Sequence, residues 1–166
     1  MPFSNPSNAK NMTTVTLGQT VPDFHLPATG DKTLALADFK GKRLLLYFYP
    51  KDNTPGCTQE GLAFRDHIQE FDVLNVVILG VSRDSVKMHE GFKCKQNFPF
   101  DLLSDQDERL CSLFDVIKMK NMYGKQVRGI ERSTFLIDEN GVLIHEWRGV
   151  KVKTHVDEVL EVLRRL

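Results

Sequence analysis

The feature that most constrains this chain is a run of six apolar residues, Leu44 to Tyr49 (LLLYFY), stopped by Pro50. It is too short for a stable helix and does not alternate. A continuous apolar strand fits a sheet covered on both faces. Val76 to Val81 (VVILGV) repeats the pattern. Between the two runs, Cys57, Gly61, Phe64, Ile68 and Phe71 form a helical stripe, predicting a helix from Pro55 to Glu70.

The remaining elements follow from local punctuation. Phe24 to Leu26 and Thr33 to Leu36 read as short strands around the turn Ala28-Thr29-Gly30-Asp31. A helix is expected from Ser85 to Gln96, capped by Asp84 or Ser85. Phe100 to Leu103 reads as a strand and Asp105 to Phe114 as a short helix. Thr134 to Asp138 and Val142 to Arg148 flank Asn140-Gly141, a strong hairpin signal. A last helix carries Val156, Val159, Leu160, Leu163 and Leu166 on one stripe. The order predicts an α/β fold, with a central mixed sheet flanked by helices, compatible with a thioredoxin-like architecture.

At 166 residues the chain is expected to form one domain, large enough to need no disulfide staples. Residues 1–12 are polar, with Pro2 and Pro6, and read as a flexible tail or appended remnant. The domain is expected over residues 13–166. No apolar segment of a signal peptide is visible there, so a cytoplasmic location is expected. Lys+Arg and Asp+Glu are both 22, which argues against nucleic-acid or anionic-membrane partners. In a reducing compartment the three cysteines are expected to be free or redox-active.

Chemistry concentrates at Pro50-Lys51-Asp52-Asn53-Thr54-Pro55-Gly56-Cys57, between the first buried strand and the first helix. With Thr54 as N-cap, Pro55 takes N1, where proline is favoured, and Cys57 takes N3. An N3 carboxylate completes a capping box; here a thiol stands in that place. Unpaired N–H groups and the positive end of the helix dipole converge there. Such surroundings lower a cysteine pKa from ~8.5 into a range of roughly 3.5–7.5, producing a nucleophilic thiolate. Read by position alone, Cys57 is equally well a buried first-turn cysteine.

The segment resembles the peroxiredoxin signature Pro-x-x-x-Thr-x-x-Cys, at Pro50, Thr54 and Cys57. The longer run YFYPKDNTPGCTQE (Tyr47 to Glu60) is similar to the peroxiredoxin Q or bacterioferritin comigratory protein subfamily. So are LGVSRDS (Leu79 to Ser85), FPFDLLSD (Phe98 to Asp105), RSTFLID (Arg132 to Asp138) and VKVKTHVDEVLEVL (Val150 to Leu163). The resemblance implies the peroxiredoxin variant of the thioredoxin fold and a thiol peroxidase acting through a Cys57 sulfenic acid. It implies that Thr54 offers a hydroxyl to the peroxide, Pro50 shields the thiolate, Arg132 stabilises it and Glu60 holds Arg132. No metal, haem or flavin is implied. Thioredoxin as reductant and a monomeric state are implied as well.

Many members of the subfamily carry the resolving cysteine five residues after the first, where this chain has Leu62. Met88 and Phe92 are expected to share the core stripe of their helix, and Cys94, rotated about 200° from Phe92, is the first candidate to resolve the sulfenic acid. Some members resemble that arrangement. Cys111, beside Leu110 and Phe114, reads as a core residue, and an external thiol is the further alternative. A Cys57–Cys94 disulfide is expected to require fraying of both helices, because the family fold sets such positions farther apart than the roughly 7 Å a disulfide allows.

Other chemistries fit less well. Thr54 replaces the first cysteine of a Cys-x-x-Cys exchange motif. Cysteine spacings of 37 and 17 residues lack the pairing of a metal site. His25, His67, His89, His145 and His155 fall in no motif. A cysteine hydrolase would need a histidine partner that sequence does not locate. From a different class, oxidation of Cys57 could switch a redox-sensing binding protein or holdase.

Overall fold

The computed structural model describes residues 14–166. The tail expected over residues 1–12 lies outside them. Among the described residues there are nine strands: β1 His25–Ala28, β2 Lys32–Ala35, β3 Arg43–Phe48, β4 Val76–Ser82, β5 Asp101–Ser104, β6 Ile117–Met122, β7 Lys125–Ile130, β8 Ser133–Ile137 and β9 Leu143–Arg148. The helices are α1 Pro55–Asp66, α2 Ile68–Val73, α3 Val86–Gln96, α4 Arg109–Leu113 and α5 Val152–Arg164.

Seven strands form one mixed sheet in the order β2-β1-β5-β4-β3-β8-β9. β3 and β5 lie parallel to β4, and the outer pairings are antiparallel. Strand β3 runs through the centre. Leu44, Leu46 and Phe48 enter one core cluster, and Leu45, Tyr47 and Tyr49 enter the other. Both pleat faces of that strand are therefore covered, which is why its sequence does not alternate. The two coverings differ. Side chains of α1, α2, α3 and α5 fill one cluster. The other is closed by α4, the turn around Leu36 and the segment from Val15 to Val21.

Four local expectations are corrected. The first helix does not run unbroken to Glu70. The His67 ring takes the Ala63 carbonyl (Nδ1 to O 2.9 Å), and the His67 N–H turns to Phe64, so the chain kinks into α2. The helix expected from Asp105 begins only at Arg109, after Glu108 at φ 64°. Met88 is exposed, and His89 joins Phe92 on the buried face of α3. Leu166 lies beyond α5 and is exposed. The β6–β7 hairpin is an element the sequence reading passed over. Its turn, Tyr123-Gly124, has two positive φ values, 54° and 80°, as a type I′ turn requires.

Candidate active site

Four segments meet at the C-terminal end of β3. The strand delivers the loop Pro50 to Thr54, and α1 starts from it. In the antiparallel β3–β8 pair Ser133 stands opposite Phe48. Arg132, one residue earlier, therefore emerges beside that loop. The start of α3 closes the far side.

Cys57 occupies the third position of α1 and is 2% exposed. The first intrahelical bond runs from the Thr58 N–H to the Thr54 carbonyl, 2.9 Å. The N–H groups of Gly56 and Cys57 precede it and have no acceptor within the helix. Arg132 Nη2 donates to Cys57 Sγ at 3.5 Å, and its Nη1 donates to Glu60 Oε1 at 2.7 Å. A Cβ at Gly56 would sit 3.2 Å from Nη2, close enough to press the guanidinium aside by a few tenths of an ångström.

Thr54 is the N-cap by backbone, but its hydroxyl does not cap the helix. It turns back and donates to the Lys51 carbonyl, 2.7 Å. This corrects the cap expected of its side chain. Pro50 is half-buried at the end of β3.

Electrostatics set the site apart. Glu60 is fully buried, and burial pushes its carboxyl up to about 7 against the opposing pull of Arg132. Burial works against the Arg132 charge, yet Glu60 and Cys57 hold its pKa above the ordinary value. Tyr47 is pushed well up by burial, then by Glu60 and Cys57. Among the described residues, Glu60 Oε2 and Tyr47 Oη are the buried side-chain polar atoms without a hydrogen-bond partner. Behind Arg132, His155 is lowered to about 4 by burial and then by the arginine charge, and its Nε2 meets Thr134 Oγ1 at 2.7 Å.

A second buried cluster holds the loop from behind. Asp52 Oδ2 lies 2.6 Å from His89 Nδ1, and Asp52 Oδ1 accepts from the Tyr49 hydroxyl at 2.6 Å. The Asp52 N–H donates to Asp84 Oδ2 (2.9 Å), which also accepts from Ser82 Oγ (2.6 Å). Asp52, Asp84 and His89 are thus engaged with one another, and His89 Nε2 reaches the Leu103 carbonyl at 2.9 Å. Sequence reasoning missed this clasp. Its members belong to separate elements, and the one usable signal was His89 three residues before Phe92.

The other cysteines differ sharply. Cys94 is exposed, two residues before the end of α3. Nearby, Arg65 of α1 donates to the Gln96 carbonyl (2.9 Å), and the Phe98 ring lies against Gly61. Cys111 is buried, and burial followed by Asp105 pushes its thiol far up.

Comparison with known proteins bears on the family of the chain. The family model described as the AhpC/TSA family matches residues 17–146. Peroxiredoxin Bcp of Bacillus subtilis is 53% identical over 151 residues, covering 91% of this chain and 96% of the relative. A solved peroxiredoxin Q of Xylella fastidiosa superposes with a TM-score of 0.86 at 47% identity, covering 91% of this chain and 96% of that one. The Xanthomonas campestris bacterioferritin comigratory protein, studied for its alkyl peroxide reduction activity, gives 0.81 at 54% identity, with 86% and 90% covered. On the signature loop, the thioredoxin-like sheet and these matches, the chain belongs to the AhpC/TSA family, in its peroxiredoxin Q and Bcp branch, and is a thiol peroxidase.

Proposed function

We propose that Cys57 is the peroxidatic residue and that the protein reduces hydrogen peroxide and alkyl hydroperoxides through it. The carrying observation is the contact between Arg132 Nη2 and Cys57 Sγ, 3.5 Å, with the other arm of the guanidinium held by Glu60. The thiolate attacks one peroxide oxygen. The O–O bond breaks, Cys57 becomes a sulfenic acid, and the second oxygen leaves as water or an alcohol once protonated. Arg132 and the free N–H groups of Gly56 and Cys57 offer hydrogen bonds to charge developing on the two oxygens. Thr54 and Pro50 line the approach, Thr54 with its hydroxyl.

Cys94 then resolves the sulfenic acid by displacing water to give an intrachain disulfide. Its exposure supports the role, and the burial and raised thiol pKa of Cys111 argue against the alternative. A thioredoxin-type dithiol reduces that bond. We further take the catalytic domain to span residues 13–166 and to act as a monomer in the cytoplasm. No helix among the described residues is long and apolar enough to cross a membrane.

The test is peptide mapping after one equivalent of hydroperoxide. A Cys57–Cys94 linkage is expected, with a persistent Cys57 sulfenic acid in Cys94→Ser. A linkage to Cys111 or to a second chain would reassign the resolving step. An unmodified Cys57 would overturn the reading.

A further inference from the structure

One guanidinium serves two acids in this site. Arg132 faces the Cys57 sulfur with one arm and the Glu60 carboxyl with the other. Cys57 is 2% exposed and Glu60 is 0% exposed. If both acids ionised, the buried cluster would carry an uncompensated negative charge, which low-dielectric surroundings penalise strongly. Glu60 spends only one oxygen on Arg132. Its Oε2 is buried without a partner, an arrangement costly for a carboxylate and tolerable for a neutral carboxyl.

We propose that Glu60 is the proton store of the peroxidase step, neutral while Cys57 is a thiolate and ionised once Cys57 has become a sulfenic acid. The proposal rests on Cys57 being the sulfur oxidised. The step balances: Cys57–S⁻ + ROOH + Glu60–COOH gives Cys57–SOH + ROH + Glu60–COO⁻. The sulfur loses two electrons to the O–O bond, and the leaving oxygen gains the proton that Glu60 gives up. Net charge on the cluster is zero before and after, because Arg132 exchanges one anionic partner for the other. Glu60 acts on the leaving oxygen as a source of the proton and on Arg132 as a replacement counter-charge.

The surroundings fit this exchange. Glu60 is already raised to about 7 by burial with the whole of Arg132 pulling it down. A thiolate sharing that guanidinium weakens the pull, so the carboxyl holds its proton to higher pH in the reduced enzyme. Of the neighbours, Tyr47 from β3 is pushed well above its ordinary value and His155 from α5 is lowered to about 4. Both are neutral near pH 7.5. Lys120 from β6 is lowered by burial and then by the Arg132 charge, against the pull of Glu131 and Cys57, and it donates its hydrogen bond to the Ile130 carbonyl, 2.7 Å.

The experiment follows one turnover of Cys94→Ser with hydrogen peroxide at pH 7.5, in weak buffer with a pH indicator. Infrared difference spectra are recorded alongside, and mass spectrometry counts sulfenic acid. With Glu60 present, no proton is drawn from solution per Cys57 oxidised, and the carbonyl stretch of a protonated carboxyl disappears. Glu60→Gln, which keeps an oxygen for Arg132, is expected to take up one proton per sulfur and to lack that band. Uptake of one proton with Glu60 in place, or no uptake in both proteins with the carboxyl band unchanged, would overturn the proposal. The infrared spectrum needs only the unsubstituted Glu60, so poor folding of the variant leaves the test intact. Absence of any Cys57 sulfenic acid would instead remove the reading on which the proposal rests.

Discussion

Two cysteines in this molecule hold the same helical position and meet opposite surroundings. Cys57 is the third residue of α1, and Cys111 is the third residue of α4. Both are buried. At α4 the seat for an anion is taken. Asp105 accepts from the Leu110 N–H at 3.0 Å and from the Cys111 N–H at 2.7 Å. Its carboxylate then repels charge on the sulfur, adding to the effect of burial on that thiol. At α1 no carboxylate occupies the first turn, and Arg132 arrives from the neighbouring strand. Helix position alone does not make a cysteine reactive. What decides is which group collects the free N–H donors and whether a cation stands opposite.

The sharpest way to break this comparison is to exchange the sulfurs. Cys57→Ser is expected to reduce peroxidase turnover to background, because the serine hydroxyl stays protonated. Cys111→Ala is expected to leave turnover per folded molecule unchanged. Equal losses in both, measured with hydrogen peroxide and a thioredoxin system, would end the distinction.

Removing the cation comes next. Arg132→Met should lower the second-order rate of Cys57 oxidation by about 100- to 1,000-fold, the usual range for losing a preorganised charge-stabilising donor. Circular dichroism should report an intact fold. A loss below tenfold would mean that the helix N-terminus suffices by itself.

The acid beside Arg132 has a pH signature. Its carboxyl is raised from 4.5 to about 7 in the folded state. A raised value favours folding at low pH, and that contribution fades as pH rises from 4.5 through about 7. Wild type should therefore lose up to about 3 kcal/mol across this interval relative to Glu60→Gln. Urea denaturation at pH 5 and pH 8 measures the difference. A constant gap between the two proteins would show Glu60 ionised throughout.

The smallest effect belongs to the quiet cysteine. Asp105→Ala removes both acceptors from the start of α4 and should cost about 1–3 kcal/mol of stability. The oxidation rate of Cys57 should stay the same. A change in that rate would mean the two helix starts are coupled.

Much of the fold was legible because its central strands announce themselves. Leu44 to Tyr49 and Val76 to Val81 are apolar on both faces, and Asn140-Gly141 marks the β8–β9 turn. The β6–β7 hairpin was not legible. Lys118, Lys120, Lys125 and Arg128 interrupt it, and most of its residues are exposed on either face, so no burial pattern is imprinted. The kink at His67 depends on one ring reaching one carbonyl, which no periodicity encodes. At the site, Cys57 and Thr54 could be read from position within a helix start. Arg132 and Glu60, 72 residues apart, came from resemblance alone. The pairing of Asp52 with His89 came from neither, because it depends on how α3 lies across the sheet.

Two helical glycines give an engineer unequal handles on this molecule. At Gly61 a methyl group would come within 2.3 Å of the Phe98 ring, so α1 cannot be stiffened there without dislodging an aromatic residue near the end of α3. At Gly91 nothing lies within 4 Å, and the residue is exposed. Alanine at that position should add about 1 kcal/mol to the helix without steric cost. If shelf life is wanted, Gly91 is the site to change. On the proposal that Cys94 resolves a Cys57 sulfenic acid, the gain is expected to slow the passage of Cys94 toward Cys57 and to lengthen exposure of the sulfenic acid to a second peroxide.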